Sequence, residues 1–117
     1  MTITGVFRSA DEVRELADGA VVFREGDEGR EMFGVVSGAI ALSKGGRPVA
    51  TIGPEGTFGE LSIIDLEPRS LTATAVGPTK VAVISERTFL ALVGETPVFA
   101  LQVMRSLADR LRALDPS

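Results

Sequence analysis

Phe58-Gly59-Glu60-Leu61-Ser62-Ile63-Ile64-Asp65-Leu66-Glu67-Pro68-Arg69-Ser70 is the stretch whose reading decides the fold. Gly56 and Gly59 let the backbone turn tightly on either side of Phe58. Glu60 to Leu66 then reads as a short helix with Leu61, Ile63 and Ile64 buried. Pro68 stops it, because the residue before a proline is pushed toward extended geometry. From Ser70 onward the sequence alternates as a strand does, with Leu71, Ala73 and Ala75 on one face and Thr72 and Thr74 on the other.

The chemistry available here is that of a small anion site. A helix that opens after glycine presents N–H groups and a partial positive charge. Arg69 can return to the same spot and grip two oxygens of a phosphate with its planar fork, and Ser70 can add a hydroxyl. Glu60 is acceptor-only when ionised, so its natural partner is a sugar hydroxyl, not a phosphate. On spacing alone a plainer alternative stays open: a Gly-Glu turn, a surface helix and a solvated arginine.

Composition narrows the field. A length of 117 residues suits one domain, residues 1–117, and 44% apolar residues are enough for a core. The aromatics are six Phe, so that core is mainly Val, Leu, Ile and Ala. Cysteine and histidine are both absent, which removes disulfides, the Ser-His-Asp triad, the commonest general base and most zinc, copper and haem sites. Carboxylates do not fall at calcium-loop spacing, so no metal is expected. The formal charge of −4 speaks against direct nucleic-acid binding and makes a local cation such as Arg69 necessary for any anionic ligand. No apolar run nears the length of a membrane span, and the first residues lack the pattern of a secretory signal, so a cytoplasmic location is expected.

Upstream, Ser9-Ala10-Asp11-Glu12 reads as a capping box opening a short N-terminal helix with Val13, Leu16 and Ala17 on its apolar face. Strands follow at Ala20–Arg24, Met32–Ser37, Ala39–Ser43, Pro48–Ile52, Ser70–Val76 and Val81–Ile84. Gly38 is expected to break one run, Lys44-Gly45-Gly46-Arg47 to form a hairpin turn, and Gly77-Pro78 to turn the chain again. Glu25–Gly29 reads as a surface loop. Short strands at this spacing indicate an antiparallel sandwich or jelly roll, a barrel over about residues 20–85. Ser85 caps a helix that Gly94 and Pro97 separate from a longer one. The longer helix carries Ala100, Met104, Leu107, Leu111 and Leu114 as a heptad seam, with Leu101 and Ala108 widening it. One face is expected on the barrel and another on a partner or over a ligand.

Taken together, F-G-E-L followed by P-R-S, with nine residues from Glu60 to Arg69, resembles the phosphate-binding cassette of the cyclic-nucleotide-binding domain family, of the catabolite-activator and protein-kinase-A regulatory-subunit type. Gly19-x-x-x-Phe23-x-Glu25-Gly26-Asp27, Val35-Val36-Ser37-Gly38, and Phe89 with Pro97 resemble its flanking framework. The resemblance implies a mainly β jelly-roll (double-stranded β-helix) barrel with a cassette helix and C-terminal hinge and lid helices over about residues 86–114. It implies a non-enzymatic regulatory domain whose ligand is cAMP or cGMP, with cAMP favoured, and no further cofactor. The implied ligand set is Phe58, Gly59, Glu60, Leu61, Ser62, Arg69, Ser70 and Leu71. Glu60 would take the ribose 2′-hydroxyl and Arg69 the cyclic phosphate, while Leu107, Arg110 and Leu111 would cover the base. Ligand would draw the cassette inward, Leu61, Ile64 and Leu71 repacking against Phe89 and Leu90, and the terminal helix would close.

Two residues depart from the family pattern. Ser62 stands where a small apolar residue is common, and Leu71 where a smaller one is usual, which leaves a degenerate, non-binding interaction or dimerisation module as the alternative. A metal-dependent jelly-roll enzyme is disfavoured by the lack of histidine. The expected partners are the cyclic nucleotide and an effector protein or a second copy met through the terminal helix. The chain shows no helix-turn-helix, kinase or channel segment, and its initial Met suggests a stand-alone sensor.

Overall fold

The computed structural model describes Phe7 and residues 10–114. Its elements run β1 (Glu12–Leu16), β2 (Val21–Phe23), β3 (Glu31–Lys44), β4 (Arg47–Ile52), β5 (Thr57–Phe58), α1 (Leu61–Ile64), β6 (Thr72–Ser85), α2 (Glu86–Glu95) and α3 (Pro97–Leu114). Every strand pairing is antiparallel. The strands form one sheet with the path β1-β6-β3-β4, while β2 pairs with β6 and β5 with β3.

Two long strands, β3 and β6, are the frame. The sequence reading cuts each in two, at Gly38 and at Gly77-Pro78, but both chains run on through these points. Their pairing extends from Glu31↔Ser85 to Ser43↔Thr72, with register shifts between Val35 and Ser37 and between Ser37 and Ala39. The glycines therefore mark bulges, where an extra residue bends and twists a strand without ending it. The Lys44–Arg47 hairpin forms as expected, joining β3 to β4.

Period-two alternation sorts the side chains into two cores. Phe33, Val35, Val81 and Val83 face inward with Phe23, Ile40, Leu42, Ile52, Phe58, Ala73 and Ala75. Met32, Ala82 and Ile84 face the other way, onto Phe7, Ile63, Leu92, Phe99 and Val103. The second core fastens α2 and α3 to the barrel.

The expected N-terminal helix is instead strand β1, paired from Glu12↔Val83 to Leu16↔Thr79. An isolated helix of so few residues gains too little to offset its nucleation cost, whereas pairing with β6 satisfies the backbone at once. Ser9, the expected cap, lies outside the described residues. Asp11 acts elsewhere: its Oδ2 accepts the Ser85 backbone N–H at 2.6 Å and its Oδ1 the Thr88 hydroxyl at 2.9 Å. These hydrogen bonds, the Ser85 backbone bond foremost, hold its carboxyl below the ordinary aspartate range. Ser85 caps α2 as expected, its hydroxyl accepting from Thr88 N.

The terminal helix buries a different face from the heptad seam. Phe99 and Val103 are buried and Leu107 is half-buried, while Leu101, Met104 and Leu111 are 43%, 56% and 67% exposed. The side chain of Leu114 lies outside the described residues. Phe99 also meets Phe89 edge-to-face at 5.8 Å, so the two helices lock through an aromatic pair. Phe99 and Val103 thus carry the contact with the barrel, and the seam residues Met104 and Leu111 lie on the outer face.

Candidate functional site

Strand β5, α1 and the segment leading to β6 bring the cassette together against the open side of the inner core. Gly59 has φ of 80°, a left-handed conformation that favours glycine. A Cβ there would stand 3.0 Å from Arg69 Nη1 and 3.1 Å from the Phe33 ring, so the residue must lack a side chain for the arginine to pass. The helix that follows is a single turn. Ile63 is buried as expected and joins the second core, but Leu61 and Ile64 are 39% and 51% exposed and Ser62 is buried in their place. So short a helix carries little macrodipole, and positive charge for an anion comes from side chains.

Arg69 supplies it. The residue is 6% exposed, with its guanidinium 4.3 Å above the Phe23 ring and 5.7 Å from that of Phe33. One nitrogen, Nη1, donates to Gly59 O at 2.8 Å, whereas Nε has no hydrogen-bond partner. Among the described residues no carboxylate forms an ion pair with it. Burial depresses its pKa, with Glu31 and Asp27 acting in the opposite sense. Its backbone is clamped at both sides, Arg69 N donating to Asp27 O at 2.9 Å and Gly26 N to Arg69 O at 2.8 Å. A Cβ on Gly29 would collide with the guanidinium.

The sequence reading missed this second layer. Phe23 and Phe33 form a π platform for Arg69, and the Glu25–Gly29 loop, read as plain surface, is its clamp. The available signal was the G-x-x-x-F-x-E-G-D run, of which Phe23, Gly26 and Asp27 touch Arg69.

Glu60 lies at the other end of the site, fully buried at 0% exposure. Its Oε1 forms an ion pair with Arg110 Nη2, and its Oε2 has no hydrogen-bond partner. Arg110, a residue of α3 expected in a base cover, points to Glu60, and burial lowers its pKa.

A cavity of about 20 Å³ is lined by Gly59, Glu60, Leu61, Ser62, Arg69, Ser70, Leu71 and Arg110 with Phe23 and Leu42. All the expected ligand residues except Phe58 line it; Phe58 is buried below, stacked on Phe33 at 5.1 Å. A second cavity of about 370 Å³ adjoins it, lined by Lys44, Val49, Leu61, Ser70, Leu71, Leu107, Arg110 and Leu111. Leu107, Arg110 and Leu111 thus line one cavity with the cassette residues Leu61, Ser70 and Leu71. Leu90, expected to meet the cassette, is exposed. Among the described residues no group of carboxylates could hold a metal ion, and no helix is long and apolar enough to cross a membrane.

The sequence model of the family described as "Cyclic nucleotide-binding domain" matches residues 13–96. The cyclic AMP receptor protein of Thermus thermophilus is 36% identical over 102 residues, covering 83% of this chain and 47% of that protein. The crystal structure of the Thermus thermophilus catabolite activator protein superposes with a TM-score of 0.80 at 31% identity, covering 97% of this chain and 55% of that one. A structure described as "A cyclic-GMP-dependent signalling pathway regulates bacterial phytopathogenesis" superposes with a TM-score of 0.77 at 30% identity, covering 92% of this chain and 89% of that one. The chain spans about half the length of the Thermus relative. These neighbours share the antiparallel jelly-roll barrel described above.

Proposed function

Since the chain belongs to the cyclic nucleotide-binding domain family, we propose that it is a sensor for a purine cyclic nucleotide, cAMP before cGMP, that signals to a partner through α3. The observation that carries the reading is Arg69: a buried guanidinium with an unused Nε and no carboxylate, opposite a buried Glu60 whose Oε2 is also unused. A buried donor and a buried acceptor left open at the two ends of one site are costly unless something completes both. A ribose cyclic phosphate does so. Its phosphate takes Arg69 and the Ser70 hydroxyl, and its 2′-hydroxyl donates to Glu60. The base occupies the apolar cavity between Val49, Leu71 and Leu107, under Leu111. The Thermus relative's description as a cyclic AMP receptor supports adenine, and the cyclic-GMP neighbour makes guanine the competitor to test.

This reading needs no catalytic group and no cofactor beyond the ligand itself, and it belongs in the cytoplasm, where cyclic nucleotides are made. Calorimetric titration with cAMP, cGMP and 2′-deoxy-cAMP tests it. Saturable binding of a ribonucleotide, with the deoxy analogue at least about 10-fold weaker for want of the Glu60 hydrogen bond, is the expected result. Equal binding of ribo and deoxy forms would remove Glu60 from the site.

A second reading has its own observation. Leu101, Met104 and Leu111 form an exposed apolar row on α3, and Leu71 narrows the site. An interaction module with a degenerate pocket would keep that row and show no nucleotide response.

A further inference from the structure

We propose that Lys44 reads the base: it gives a 6-oxopurine such as guanine its hold on the site, and so sets the margin by which cAMP is preferred to cGMP. This rests on the sensor reading and deepens it.

Three observations carry it. First, Lys44 lines the larger cavity, and among the described residues it makes no ion pair. The other cation there, Arg110, is taken up by Glu60. Second, apart from the Ser70 hydroxyl the remaining lining is Val49 and four leucines, so no carboxylate or amide side chain lines the compartment. Third, the hairpin that carries Lys44 is fastened. Lys44 stands opposite Arg47 across the turn at Gly45 and Gly46. Gly45 N donates to Glu25 Oε1 at 2.8 Å, and Glu25 N donates to Thr72 Oγ1 at 3.1 Å. The next residue, Gly26, donates its N–H to Arg69 O. One loop thus holds both Arg69 and the hairpin. It fixes the Lys44 backbone relative to the phosphate end of the site, while the lysine side chain is exposed and can turn into the cavity.

The chemistry follows from the donor inventory. An ammonium only donates. Guanine presents two acceptors on its outer edge, O6 and N7, whereas adenine presents N7 beside an N6 amino donor. Lys44 therefore bonds to both acceptors of a 6-oxopurine. Toward adenine it meets one acceptor, and the amino group finds a cation where it needs an acceptor. The apolar walls act the other way. Guanine carries more polar groups than adenine, and each one desolvated without a partner is costly. The walls favour adenine, Lys44 offsets part of that preference, and its removal widens the margin.

The test is calorimetric titration of the wild type, Lys44→Met and Lys44→Arg with cAMP, cGMP and cIMP. The last carries O6 and N7 without the 2-amino group of guanine, so it isolates the edge that Lys44 reads. Lys44→Met should weaken cGMP and cIMP by at least about 10-fold and change cAMP by less than about 3-fold. Lys44→Arg keeps paired donors and should hold the cAMP-to-cGMP ratio within about 3-fold of the wild type. An unchanged ratio in folded Lys44→Met would overturn the proposal, as would an equal loss for all three nucleotides, which would make Lys44 a general attractor of anions. So would cIMP following cAMP instead of cGMP, or a wild type that binds cAMP and no cGMP; each of these leaves the sensor reading intact. A folded wild type that binds none of the three would sink the sensor reading and this proposal with it.

Discussion

Leu66 is the residue at which the cassette departs most from ordinary chain geometry. Its φ is 61°, in the left-handed region, and it is 57% exposed. A branched side chain in that conformation costs about 1–2 kcal/mol, and an exposed leucine recovers little of it by burial. Leu66→Gly should therefore raise stability by about 0.5–1 kcal/mol after the extra chain entropy of glycine is counted. Urea unfolding followed by circular dichroism measures it; a loss of stability would mean that Leu66 makes a packing contribution larger than its strain. The same scale shows how far residues were legible in advance. Arg69, Glu60, Gly59 and Ser70 were recognisable because their spacing is set by one tight turn. The contacts that Phe23, Phe33 and Gly29 make with Arg69 were not, because β2, β3 and the loop between them lie far from it in sequence, and an aromatic that serves as a platform looks like one that fills the core. The pairing of Arg110 with Glu60 was not legible either, because helical periodicity places Arg110 on α3 yet says nothing of what lies opposite.

At the level of elements, the junction between β6 and α2 is held by an acid. Asp11, just ahead of β1, accepts from Ser85 N and the Thr88 hydroxyl, so it ties the N-terminal strand to the helix cap. Its pKa is depressed by those bonds in the folded state. A group with a depressed folded pKa contributes stability above its unfolded pKa and loses it as pH falls through the folded value. Asp11→Asn should therefore lower the thermal midpoint at neutral pH and flatten the decline on acidification below about pH 4. Thermal scans across pH would show parallel curves for the two proteins if the side chain made no such contribution. This junction also explains why the N-terminal helix was mispredicted. The capping-box pattern at Ser9–Glu12 was a local signal, and the Asp11 partners that override it lie over 70 residues away. The bulged β3 and β6 strands were misread as four short ones for the same reason. A glycine that bends a paired strand and one that ends it look alike until the partner is known. The hairpin at Lys44–Arg47 and the cap at Ser85 were legible because each is closed by residues within four positions.

For the whole molecule, the division of α3 into a docked face and an open one matters most. Phe99 and Val103 fix the helix on the barrel, while Leu101, Met104 and Leu111 remain uncovered. A partner or a second copy that covers this row would meet the helix that carries Arg110, the residue paired with Glu60. Met104→Glu should leave the urea midpoint unchanged within about 0.5 kcal/mol, as befits a surface site, while abolishing any association through α3. Sedimentation velocity at rising concentration checks this, and association that survives Met104→Glu would place the interface elsewhere.

The central claim is that Arg69 and Glu60 are a buried, incomplete pair waiting for a cyclic phosphate and its sugar. The most direct measurement is calorimetric titration of the wild type and Arg69→Ala with cAMP and cGMP, each protein first shown to be folded. The account predicts saturable binding by the wild type and a loss of at least about 100-fold in Arg69→Ala, as expected when a charge-assisted, bidentate anion contact is removed. Binding that survives Arg69→Ala undiminished, or a folded wild type that takes up neither nucleotide, would contradict it.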